Sequence, residues 1–198
     1  TGHGDEHALA RFALLADGLA GPHGAVLKLN HSRAPLVDEP TGLRGLRIGR
    51  PGGTLAVLHS PDGLEVTIHP VEGDPVVEVA TVVSDLAAAR RWWVDGVGAE
   101  ELEPDRFAVG RTRIHAAVDP ARPPTGSLAA RGLRYLTIQV RDAVAEHERL
   151  IEMGYEEGMA PVRLGDVALV SFVRSPDRDW LEISQRGSLT GPLPAGPT

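Results

Sequence analysis

Apolar residues along this chain fall mostly in short runs or at every second position. The clearest case is 167–173, VALVSFV, followed by Ser-Pro-Asp and then by Trp180-Leu181-Glu182-Ile183. Two strands joined by a tight turn are predicted there. By alternation, Leu181 and Ile183 share one face of the second strand and Glu182 points to the other. The same patterning predicts strands over 25–29, 42–48, 54–59, 64–69, 76–83, 106–109, 113–118, 133–140, 161–164, 167–173 and 180–184. Helical spacing is rarer. It predicts helices over 5–19, with Leu9, Phe12, Ala13 and Leu19 on one face, over 85–97 with Asp85 as N-cap, and over 142–153 with Asp142 as N-cap and Gly154 as stop. Trp92 and Trp93 read as core on the second helix, whereas His147, between Glu146 and Glu148, reads as part of a solvated face on the third. The Pro-rich segment 119–127, DPARPPTGS, is a connector.

Composition sharpens this picture. The 23 Gly and 16 Pro favour many short strands and tight turns over a helical bundle. With 198 residues, 42% apolar and 24% charged, the chain suits one ordinary domain or two small ones. No stretch approaches the ~20 apolar residues of a membrane span, and no secretory leader is visible, so the expectation is a cytoplasmic protein without a membrane partner. A formal charge of −7 argues against a nucleic-acid partner. Without Cys, disulfides, thiolate catalysis and Cys-ligated zinc are excluded.

The chain repeats itself. GLRGLRI (42–48) matches GLRYLTI (132–138) at an offset of 90, and LHSPDGLEVTI (58–68) matches VRSPDRDWLEI (173–183) at an offset of 115. The later copy therefore holds an excursion, a helix and a short strand, that the earlier copy lacks. Glu182 falls opposite Thr67 in this comparison. A second repeat joins VEVATVVSDLAAARRWW (77–93) to RYLTIQVRDAVAEHERL (134–150), each a strand, an Asp cap and a helix. The unit is β-α-β-β-β, used twice between 76 and 186.

These strand-cap-helix openings, with the SPDRDWLEI ending that is similar to D-P-D-G-N-x-x-E-L, resemble the vicinal oxygen chelate superfamily of glyoxalase I, extradiol dioxygenases and bleomycin- and fosfomycin-resistance proteins. The resemblance implies an α+β fold of paired βαβββ modules, with curved mixed sheets enclosing a cleft. It implies three divisions: a trimmed, degenerate unit over 1–72, a complete two-module domain over 76–186 and a tail over 187–198. It also implies ligand positions on the first and last strands of each module. Here those positions read Glu78, His115, Tyr135 and Glu182, where the family commonly has His, Glu, His and Glu.

Two functions follow from that set. In one, Glu78, His115 and Glu182 hold a divalent metal (Fe, Mn, Ni or Zn) for a lyase, isomerase or dioxygenase acting on a small oxygenated molecule, with Tyr135 as the catalytic residue beside the substrate. In the other, the chain is a metal-free binder of a drug or metabolite, and aromatic and apolar walls supply the affinity. Each residue also has a plainer reading: Glu182 facing solvent or an Arg, Glu78 as an ordinary strand residue, His115 and Tyr135 as cleft wall. His23, His31, His59 and His69 cluster in the first copy, but Lys28, Gly45 and Thr67 stand at its matched positions, so no ligand set is expected there. A monomer or a homodimer is compatible with the repeat.

Overall fold

The computed structural model describes residues 37–39, 41–59, 64–130 and 132–194, together with two short strands, β1 (Arg11–Phe12) and β2 (Leu27–Lys28), which pair antiparallel. The helix expected over 5–19 is corrected at its two described residues, where pairing with β2 overrides the local helical spacing; the rest of that stretch lies outside the described residues. The remaining elements are β3 (Leu43–Pro51), β4 (Ala56–His59), β5 (Glu65–Val71), β6 (Val76–Val83), α1 (Leu86–Arg90), β7 (Glu100–Glu103), β8 (Arg106–Val109), β9 (Thr112–Val118), β10 (Tyr135–Gln139), α2 (Ala143–Glu152), β11 (Glu156–Leu164), β12 (Ala168–Arg174), β13 (Trp180–Arg186) and α3 (Gly187–Thr190).

Two mixed sheets organise them. One has seven strands in the order β4-β5-β3-β6-β9-β8-β7, and the other has four in the order β10-β13-β12-β11. The segments β6-α1-β7-β8-β9 and β10-α2-β11-β12-β13 are two βαβββ modules of identical topology, each with its first and last strands parallel. Over the described residues the fold is α+β with curved sheets and no closed barrel. Among the described residues no helix is long and apolar enough to cross a membrane.

The pairing β3-β5-β4 reproduces the first, last and third strands of a module. Its register places Arg47 opposite Thr67, as β10 and β13 place Thr137 opposite Glu182. These are the positions that the offsets of 90 and 115 equate. β3 then pairs antiparallel with β6, so the seven-stranded sheet runs unbroken from this piece into the first module.

Local chemistry explains the element ends. The Asp85 side chain accepts from the Ala88 N–H at 2.6 Å, and Asp142 accepts from Val144 and Ala145, so both expected N-caps form. After five residues α1 widens into a π-helical turn over Arg91–Gly96. The wider turn brings two successive rings inward, leaving Trp92 3% and Trp93 6% exposed. β7, sequence EELE, carries no apolar alternation and lies exposed at the sheet edge, so patterning missed it. β11 begins earlier than expected because irregularities between Glu157 and Met159 and between Met159 and Val162 break its alternation.

Each helix covers one face of its own sheet, and the two modules share a core. Phe107, Ile114 and Ala116 from the first module meet Leu150, Val173, Leu181 and Ile183 from the second, with Trp92 and Trp93 between them. Tyr155 packs edge-on against Trp92 at 4.7 Å, and burial raises the pKa of its phenol. Because both sheets turn their helix-bearing faces to this core, their other faces point away from it. On α2 the inward stripe is Ala143, His147 and Leu150, spaced by four and three. His147 is therefore 3% exposed, which corrects the solvated-face expectation. Its Nε2 lies 2.8 Å from the Glu157 carboxylate.

Candidate functional site

The four expected positions divide between the two outward faces. Ile114 packs in the shared core and Val79 in a smaller cluster with Leu43 and Leu46, so alternation sends Glu78 and His115 to the outward face of the seven-stranded sheet. Leu181 and Ile183 lie in the shared core, so Glu182 and Tyr135 occupy the outward face of the four-stranded sheet. The register repeats: His115 pairs with Ala80, two residues along from Glu78, as Glu182 pairs with Thr137, two along from Tyr135. Each pair is brought together; the two pairs are not.

On the first face, Glu78 is 8% exposed and lies between two guanidinium groups. Arg106 Nη1 donates to Glu78 Oε2 at 2.5 Å, and Arg47 Nη1 lies 3.6 Å from Oε1. His115 Nε2 stands 3.3 Å from Asp105 Oδ2. Both groups are thus engaged within the protein, the carboxylate by cations and the imidazole by a neighbouring acid. The floor between them is made of small residues, with Gly45 opposite Ala80 and with Ala108 and Ala117 on β8 and β9.

On the second face, aromatic rings run across three strands. Tyr135 meets Phe172 edge-on at 5.2 Å, and Phe172 meets Trp180 at 5.9 Å. The Arg174 guanidinium stacks 4.2 Å above the Trp180 ring. Its pKa is lowered, first by burial and then by the Arg178 cation. Glu182 lies directly opposite Phe172 on one side and Thr137 on the other, and is 4% exposed. Two buried polar atoms on β13, Trp180 Nε1 and Ser184 Oγ, have no hydrogen-bond partner among the described residues.

This donor set does not fit a metal ion. Glu78 and His115 are on one sheet and Glu182 on the other, with a helical core between, and among the described residues no group of three His, Asp or Glu could hold a metal. Tyr135 is the first ring of the aromatic row.

Patterning missed the turn 175–179 as a hub. Asp179 Oδ1 accepts from the Gly42 N–H at 2.8 Å, from Arg122 Nη2 at 2.7 Å and from Thr125 Oγ1 at 2.6 Å. Asp177 accepts from the Ser84 N–H and pairs with Arg122 at 3.2 Å. Arg174 Nη2 donates to the Thr125 carbonyl. The turn thus binds the start of β3, the end of β6 and the Pro-rich connector. The sequence marked it as a tight turn and as part of a repeat, but not as a point of attachment for distant segments. A narrow apolar cleft, lined by Thr81, Val83, Trp92, Leu136, Pro176 and Trp180, runs beside this turn and reaches none of the four expected residues.

No curated protein matches the sequence. Similar solved structures include a glyoxalase family protein from Enterococcus faecalis (25% identity, 54% of this chain and 94% of that one, TM-score 0.46) and a glyoxalase-related enzyme from Fulvimarina pelagi (18% identity, 55% and 86%, TM-score 0.45). A third is a glyoxalase/bleomycin resistance protein/dioxygenase from Alicyclobacillus acidocaldarius (17% identity, 56% and 90%, TM-score 0.44). The sequence model of one family matches residues 76–183, more than half of the chain and nearly all of the two modules. The chain accordingly belongs to the Glyoxalase/Bleomycin resistance protein/Dioxygenase superfamily.

Proposed function

We propose that this chain is a small-molecule binding protein that takes an oxygenated, ring-bearing ligand on the outward face of its four-stranded sheet without a metal. The observation that carries the reading is the aromatic row Tyr135–Phe172–Trp180 laid across β10, β12 and β13. Such rings offer flat apolar area and favour edge or offset contact with another ring. Trp180 Nε1 and Ser184 Oγ, without a partner among the described residues, supply hydrogen-bond donors to ligand oxygens, and buried donors of this kind call for a partner. The metal-dependent alternative requires Glu78, His115 and Glu182 to converge, and nothing in their placement favours it.

Two measurements test the proposal. Tryptophan fluorescence titration against a panel of phenols, quinones and aryl ketones is expected to give saturable quenching, lost in Trp180→Leu and weakened in Tyr135→Ala. Metal analysis of protein purified without chelator is expected to find no stoichiometric metal. Near-stoichiometric metal that disappears in Glu182→Ala would overturn the reading in favour of a metalloenzyme.

A further inference from the structure

Four strands end the two large sheets: β4 and β7 on one, β10 and β11 on the other. An edge strand offers unpaired N–H and C=O groups, and proteins guard such edges with charge, proline or bulges. β7 reads EELE, so three of its four side chains are carboxylates. β11 contains Pro161 and two irregularities. β10 turns the polar Thr137 and Gln139 to solvent. β4 has none of these guards. It reads AVLH, follows Leu55 and pairs with β5 without a bulge. Leu55 is 67% exposed, Val57 50% and Leu58 55%. Val57 and Leu58 point to opposite faces, so the strand is apolar and open on both.

The internal repeat explains the bare edge. β4 corresponds to β12 through the match of 58–68 to 173–183. β12 carries β11 on its outer side and is buried at every position. β8 likewise carries β7. The trimmed copy lacks the helix-plus-strand excursion, and among the described residues no strand pairs with the outer side of β4. The strand fits a second copy of itself. Antiparallel pairing across a two-fold axis normal to the sheet keeps each face continuous, so a residue opposes itself or one an even number away. Centred on Val57, this register sets Val57 on Val57, Ala56 on Leu58 and Leu55 on His59, and opposes no like charges. The same operation on β7 would set Glu101 on Glu101, which repels. The contact is short, so the association belongs to the weak, transient class of interfaces.

We infer that β4 is a self-association edge, through which two copies of this chain join their seven-stranded sheets, antiparallel and two-fold, about Val57. Sedimentation velocity of the full chain from low to high micromolar concentration tests it. A reversible monomer–dimer equilibrium is expected. Val57→Lys would face two lysines across the axis and should weaken the dimer about tenfold. Val57 is half exposed, so this variant should keep the fold, and circular dichroism checks this. Val162→Lys, on the edge strand β11, should leave the dimer unchanged. The chain has no Cys, so a Val57→Cys protein can form a disulfide only between copies. Directly opposed residues of an antiparallel pair stand about 4.5–5.5 Å apart at Cα, within the span a disulfide bridges. With oxidised glutathione as the oxidant, Val57→Cys should cross-link far faster than Val162→Cys. A chain monomeric at every concentration, a dimer unaltered in folded Val57→Lys, or equal cross-linking at both positions would overturn the inference.

Discussion

Replacing Asp179 by Ala probes the turn that joins the two sheets. Its Oδ1 accepts three bonds, and one donor, Arg122, has a side chain only 1% exposed. After the change Arg122 keeps Asp177 at 3.2 Å, while the Gly42 amide and the Thr125 hydroxyl lose their acceptor. Breaking a buried charge pair costs about 3–5 kcal/mol, and the residual partner places this case at the low end, about 3 kcal/mol. Arg122→Met strands two acids in place of one cation and is expected to cost a similar amount. The two changes share one interaction, so the double variant should fall short of the sum by about 1–3 kcal/mol. Urea denaturation measures this as a lower midpoint at constant slope. A loss below about 1 kcal/mol in Asp179→Ala would refute the argument, because it would mean that water already satisfies these groups.

Three further outcomes follow from the same geometry. Gly42→Ala should destabilise by about 1–3 kcal/mol in the same assay, because an added Cβ would lie 2.7 Å from Arg122 Nη2 and closer still to Asp179 Oδ2. Glu157→Ala should cost about 1–3 kcal/mol in thermal melts, since it strips the partner from Nε2 of buried His147. Arg90 holds the Glu101 pKa below the ordinary carboxylate value, chiefly through its hydrogen bond, so the pair stabilises the fold above that ordinary value and the contribution fades as pH falls through the depressed one. The melting temperatures of Glu101→Gln and the parent should differ at neutral pH and converge in acid.

Much of the module plan was legible because it rests on local rules. Strand alternation, two Asp caps and the paired offsets of 90 and 115 anticipate the two βαβββ modules and the correspondence of Thr67 with Glu182, which the matching registers of the two copies repeat. The site was less legible. Alternation shows that Glu78 and Glu182 each leave the core face of a strand, but not that the two faces point apart; that depends on how the helices pack between sheets. The ring contacts of Tyr135 with Phe172 join residues far apart in sequence, and no spacing rule links them. His147 could have been recovered, since it shares the helical stripe of Ala143 and Leu150; the flanking Glu146 and Glu148 masked that signal.

The hydrogen bond from Gly42 to Asp179 spans 137 residues. During synthesis Gly42 and the strand that follows it leave the ribosome first, and the acceptor emerges only after those 137 residues have followed. At roughly 5–20 residues per second the interval is on the order of ten seconds. Until the turn emerges Arg122 lacks both of its acids, and the end of β6 at Ser84 lacks the Asp177 acceptor. The hairpin from β12 to β13 therefore acts as a late latch, and a nascent chain stopped before Asp177 keeps its first-made sheet unfastened, open to chaperones and proteases.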